Sequence, residues 1–191
     1  MHDVDFTLLP FPVAEQSAAR VSLAPNIEIS GSISGVANVI NVVFRVSGDI
    51  HHVKHASRNP SPTRKDNLWR TTCFELFLKL PAQEAYWEYN LSPSHDWNVY
   101  HFSSYRSELT LESQIEAIEM TTTLDIANFV QLQAALPIPI SLRGQPLDIA
   151  ISSVLEEQSG KLHYFALRHA EEKPDFHNPA GFALHLVPVA D

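Results

Sequence analysis

Side chains with binding chemistry gather in two runs of this sequence. The first is Arg64-Lys65-Asp66-Asn67-Leu68-Trp69-Arg70-Thr71-Thr72-Cys73-Phe74-Glu75. A tryptophan at the end of a polar loop, just before a strand, offers its flat face to an apolar ring such as the C–H face of a sugar. Glu75 falls inside the strand that follows, on the face opposite a continuous apolar row. Acids are depleted in mid-strand, so Glu75 either meets solvent or has a partner. A structural alternative stays open for both residues: Trp69 plugs one end of the fold and Glu75 pairs with an arginine. The second run is Tyr86-Trp87-Glu88-Tyr89-Asn90-Leu91, then Trp97-Asn98-Val99-Tyr100-His101-Phe102 and Tyr105-Arg106. Strand alternation puts Tyr86, Glu88 and Asn90 on one face and Trp87, Tyr89 and Leu91 on the other, where Trp87 and Tyr89 read as core. Glu88 and Asn90 can then hydrogen-bond hydroxyls, and Arg106 supplies a planar fork for a diol or a nearby carboxylate. A surface ion-pair ladder is the plainer account of the same residues.

Other chemistries find less support. Ten histidines are present, and His51, His52 and His55 form His-His-x-x-His. That run lies in a strand-end or loop context, without the helical spacing that turns two zinc ligands to one side, so it reads as solvated loop histidines. Cys73 is the sole cysteine, which leaves thiolate metal ligation nearly excluded and an intrachain disulfide impossible. The sequence contains no Gly-x-Ser-x-Gly elbow, no phosphate-cradling loop and no Gly-x-Gly-x-x-Gly, and only 6 glycines in all. Glu75 and Glu88 could in principle form the paired carboxylates of a glycosidase, and their separation, which decides that chemistry, is not readable from sequence. The expectation is a non-catalytic binding role with no catalytic residues, no metal and no cofactor.

The elements that must position these residues are strands. Ile27, Ile29 and Ile33 open an early strand, with Gly31 and Gly35 as bulge or turn points. Val39 to Val46 is β-branched and ends in the turn signal Ser47-Gly48-Asp49. A polar, proline-containing loop leads to Phe74, Leu76, Leu78 and Leu80, which alternate with Cys73, Glu75, Phe77 and Lys79. Two aromatic strands, Ala85 to Leu91 and Trp97 to Tyr105, flank Ser92–Asp96 as a hairpin. Further strands are expected at Thr121–Asp125, Phe129–Leu136, Leu147–Leu155, Leu162–Arg168 and Phe182–Val187. Val13 to Arg20 fits a short helix, and Glu112 to Met120 fits either period and is read as β. The fold expected is all-β: an antiparallel β-sandwich of two sheets, jelly-roll or immunoglobulin-like, with little helix, in a single domain over residues 1–191.

Composition bounds the partners. The 191 residues are 45% hydrophobic and 18% charged, an ordinary globular balance. Lys and Arg number 13 against 22 Asp and Glu, and the formal charge of −9 repels phosphate backbones and anionic membrane surfaces. Neither nucleic acid nor membrane is expected as a partner. The start Met1-His2-Asp3-Val4-Asp5 lacks the basic, apolar pattern of a signal peptide, so a cytoplasmic location is expected.

Trp69-x-x-x-Cys73-Phe74-Glu75-Leu76-Phe77-Leu78, then Tyr86-x-Glu88-x-Asn90 and Tyr105-Arg106, resembles the DOMON-like superfamily, and within it the branch related to family-9 carbohydrate-binding modules. The tail, His163-Tyr164-Phe165-Ala166-Leu167-Arg168-His169 and Lys173-Pro174-Asp175-Phe176-His177, is similar to bacterial stand-alone DOMON-like proteins. The resemblance runs from about Asn38 to Val187. It implies a β-sandwich with a ligand site on a concave face or at one end, where aromatics clamp a sugar and acid, amide and arginine groups bond its hydroxyls. Carried over, Trp69 is a stacking platform and Glu75 and Arg106 are polar partners. The resemblance supplies no position for a second stacking aromatic; Phe176 and His177, from their loop location, and Trp97 are the candidates. Thr72 stands where sugar-binding members carry an acid, and Phe165 where a tryptophan is expected. Other DOMON branches bind haem through methionine and histidine, and this chain has only Met1 and Met120 to offer. The leading expectation is a module binding a small saccharide. The alternatives are a haem or redox domain and an interaction domain with no small ligand.

Overall fold

A computed structural model describes residues 3–12, 26–36, 38–54, 56–125 and 129–187. Alternation of apolar and polar residues resolves into twelve strands among them: β1 (Val4–Pro10), β2 (Ile27–Val36), β3 (Val39–Gly48), β4 (Cys73–Lys79), β5 (Tyr86–Leu91) and β6 (Trp97–Phe102), then β7 (Thr110–Leu111), β8 (Glu119–Asp125), β9 (Phe129–Pro137), β10 (Leu147–Glu156), β11 (Leu162–Ala166) and β12 (Leu184–Leu186). Every pairing between these strands is antiparallel. Helical structure in the described residues is confined to short 3-10 turns. The all-β, antiparallel expectation therefore stands.

The expected division into two sheets does not. Hydrogen bonding runs without a break through β7-β6-β5-β4-β10-β11-β1-β2-β3-β9-β8, with β12 added on β10. The reason is β1, which pairs with β2 through Val4 to Leu8 and with β11 through Leu9 and Pro10. One strand thus joins two halves that would otherwise be separate layers. The sheet curls so that the halves meet: Phe44 of β3 lies 4.8 Å, ring centre to ring centre, from Phe74 of β4. A single large core results, drawing Ile29, Val42 and Leu132 from one half and Leu76, Tyr89 and Ile151 from the other.

Two further expectations are corrected. Residues 112–118 are irregular rather than β, and β8 begins at Glu119. Ile115 and Ile118 are buried as anchors of that connection, which is why their spacing mimics an ordered element. Gly31 is no bulge: it sits in regular register opposite Phe44, and a Cβ there would collide with the Val43 carbonyl oxygen and the Phe6 ring. The helix expected over Val13 to Arg20 lies outside the described residues.

Candidate functional site

Strand alternation gives β4, β5, β6 and β10 a second face, turned away from the main core. Cross-strand register places Asn98, Asn90, Glu75 and Ser152 in one row on that face. The adjoining row holds Tyr100, Glu88, Phe77 and Ala150. A strand face rich in carboxyl, amide and hydroxyl groups would ordinarily meet water. Here Glu75 is only 2% exposed and Glu88 5%, because aromatic side chains from the surrounding loops close over them. Phe77, Tyr86, Tyr100 and Phe102 form a second apolar cluster with Trp69, Phe176 and Phe182 packed against it.

Between these walls lies a cleft of about 500 Å³. Six of the seven residues anticipated from sequence line it: Trp69, Glu75, Glu88, Arg106, Phe176 and His177. The seventh, Asn90, is fully buried behind the surface, where its Nδ2 donates to Glu88 Oε1 at 2.6 Å. Its place is to hold the acid. Trp97 is not in the cleft: it is buried in the main core with the Arg64 guanidinium 4.4 Å from its ring centre. Strand parity explains the difference, since Trp97 pairs with Leu91 on the core-facing side of β5. The exposed pair His51 and His52 sit on a 3-10 turn with their rings 3.9 Å apart, and His55 lies outside the described residues.

Each lining side chain has a local reason for its position. Trp69 rides the 3-10 turn Leu68–Arg70, which Asn67 opens in a left-handed conformation at φ 63° and Leu68 anchors by burial. Half-buried, the indole meets Tyr100 edge-on at 5.9 Å. Tyr100 Oη in turn donates to Asp66 Oδ1 at 2.7 Å, which fastens the loop to the sheet. On the opposite rim, Asp175 accepts from Arg106 Nη2 at 2.8 Å and from Tyr105 Oη at 2.7 Å. Burial works against its charge, but the bonds from Arg106 and Tyr105 outweigh it and hold Asp175 below the usual carboxylate range. These bonds tie the strap carrying Phe176 and His177 to the β6–β7 connection.

The floor has unusual electrostatics. Ser152 Oγ donates to Glu75 Oε2 at 2.8 Å, and Asn90 is the corresponding donor to Glu88. No lysine or arginine among the described residues forms an ion pair with either acid. Burial raises both carboxyls well above the ordinary range, and the charge of Glu88 adds to the rise at Glu75. His177 moves the other way: burial, reinforced by Arg106, lowers it to about 4, so its ring is neutral at pH 7. Tyr86 Oη lies 2.7 Å from His177 Nδ1 and accepts the Arg106 backbone N–H at 3.2 Å. Burial pushes that phenol up to about 12, so it keeps its proton. The other ring nitrogen of His177, Nε2, faces Glu88 Oε2 at 3.9 Å.

Sequence reasoning missed Tyr164 and Phe102 in the lining and Asp175 as the anchor of the strap. Alternation held the signal for Tyr164, which falls opposite Val154 and so shares the face of Ser152 and Glu75.

No family model and no curated protein matches this chain. Among solved structures, a candidate carbohydrate-binding protein from Bacteroides uniformis ATCC 8492 is similar, with a TM-score of 0.63 and 15% identity over 91% of this chain and 83% of that one. A family 9 carbohydrate binding module from Caldicellulosiruptor kristjanssonii matches more loosely. Its complex with glucose has a TM-score of 0.41 at 13% identity, covering 78% of this chain and 69% of that one. Its complex with cellotriose has 0.42 at 14%, covering 84% and 71%. At 15% identity the first likeness shows a shared fold.

Proposed function

We propose that the cleft binds a small saccharide and does not transform it. The observation that carries this reading is the meeting of aromatic walls and a buried polar floor: Trp69 and Phe176 flank a space whose base presents Glu75 and Glu88. A sugar ring has the matching surfaces, apolar C–H faces and a hydroxyl edge. The Arg106 guanidinium adds donors at one side, and His177 a polar ring edge. The fold shared with a candidate carbohydrate-binding protein and the motif order resembling family-9 modules support the same reading. The haem alternative has less behind it, since Met120 packs partly buried against the main core and does not line the cleft.

Titration calorimetry against a saccharide panel tests the proposal. A member of the panel is expected to bind with a millimolar or better constant, and Trp69→Ala to weaken it by about tenfold, the scale of one lost stacking contact. No binding at millimolar concentration, or an unchanged constant in the variant, would overturn the reading. Incubation with the bound saccharide is expected to release no new reducing ends; release would make the carboxyl pair catalytic.

A further inference from the structure

Among the described residues no lysine or arginine forms an ion pair with either floor acid, although Arg70 and Arg106 line the same cleft. Glu75 Oε1 has no hydrogen-bond partner among the described residues, and Glu88 meets the Asn90 amide and, at 3.9 Å, a neutral histidine. Arg106 acts on Glu88 from a distance, while its guanidinium is held at 2.8 Å by Asp175. Two buried carboxyls in that state either take up protons or await a cation, because two ionised carboxylates in a dry site repel strongly. A neutral diol leaves the repulsion in place. An ammonium group removes it, donates up to three hydrogen bonds and meets aromatic faces on the walls around it.

Resting on the saccharide reading above, we propose that the cleft selects an amino sugar, a hexose carrying a free protonated amine that lies between Glu75 and Glu88. The sugar ring lies against Trp69, and the ammonium replaces the proton that the pair holds when empty. The inference stands on the placement of two buried acids at the base of an aromatic cleft, with no cationic side chain among the described residues bonded to them. An N-acetylated sugar has no charge to offer the floor and is disfavoured.

The proposal gives the site a pH dependence of definite sign. The charged and titratable groups around the pair are Cys73 on β4, Tyr86 on β5, Tyr100 on β6, Tyr164 on β11, Arg70 on the turn before β4, and Arg106 and His177 at the rim. Burial keeps the Cys73 thiol and the Tyr86 and Tyr100 phenols protonated across pH 5 to 7 and favours the neutral His177 ring, while Arg106 stays charged. The carboxyl pair is therefore the group that changes. Lowering the pH from about 7 to about 5 fills it with protons and removes the attraction for an amine that stays charged throughout.

Calorimetry on the wild-type protein with glucosamine, glucose, N-acetylglucosamine and cyclohexylamine tests this. Glucosamine is expected to bind at least about tenfold more tightly than glucose or N-acetylglucosamine at pH 7, the scale of a charge-assisted bond. Its affinity is expected to fall at pH 5, and Glu88→Gln to narrow its preference over glucose. Equal binding of glucose and glucosamine would overturn the amine and leave the saccharide reading intact. So would an affinity for glucosamine that is unchanged or higher at pH 5. Binding of cyclohexylamine with none of the sugars would support the amine and overturn the saccharide. Binding of none of the four would overturn both.

Discussion

Glu75 and Glu88 hold protons at a pH where exposed carboxyls have lost theirs, and this has a cost in stability that can be measured. In the unfolded chain both ionise near pH 4, whereas burial delays ionisation in the folded chain. Between those two points the folded state binds more protons than the unfolded one, so stability falls as pH rises. The contribution is complete below the unfolded value and is lost as pH climbs through the folded one. Glu75→Gln keeps an acceptor for Ser152 and removes the ionisation. It is expected to raise the thermal midpoint at pH 8 by about 2–4 °C, the shift that about 1 kcal/mol makes in a chain of this size, and to change little at pH 4. A variant less stable than wild type at pH 8 would show that the carboxylate is favourable where it lies. At this scale alternation alone placed Glu75, Glu88 and Asn90 on one face. It did not disclose that loops would cover that face, which is what turns ordinary acids into proton-holding ones.

Among the elements, β1 does the joining. Five of its residues pair with β2 and its last two with β11, so it closes the path between the two halves of the sheet. Phe6 is its main anchor, buried and edge-on to Phe44 at 5.6 Å. Phe6→Ala is expected to cost about 3–5 kcal/mol, read as a shift in the urea midpoint. A loss below about 1 kcal/mol would mean that β1 is peripheral to the fold. Gly31 opposite it has the same dependence from the other side, since any side chain there would drive into the β3 backbone. Most strands were legible because each buries one face and so shows a two-residue period. The exception is instructive: β1 ends in Leu8-Leu9-Pro10, where the alternation breaks as the strand changes partners.

Across the whole molecule, one core cluster spans both halves of the curled sheet. With Phe44 against Phe74 at its centre, neither half can lose its partner without exposing apolar surface. Unfolding in urea is therefore expected as a single transition, with far-UV circular dichroism and tryptophan fluorescence coincident. The tryptophans all lie in the half built from β4, β5 and β6, whereas circular dichroism reports both halves, so two separated transitions would show the halves to be independent. The −9 charge belongs to this scale too: it favours approach of a cationic ligand and weakens that advantage as salt rises.

Local pattern determined the strand content and the faces of β4 and β5, and it singled out Trp69, Glu75, Glu88 and Arg106, which line one cleft in the structure. The strands and the places of Glu75 and Glu88 follow from side chains alternating along a strand, a property of neighbours in sequence, whereas Trp69 and Arg106 came from their loop context and the motif resemblance. Only the tertiary structure decided that the sheet is one curled surface, that Trp97 belongs to the core and Phe176 to the cleft, and that the Glu75–Glu88 pair is closed off from water. Each of those depends on segments far apart in the chain, such as Arg106 meeting Asp175 and β1 meeting β11. Burial, and the protonation that comes with it, is a property of what those distant segments enclose.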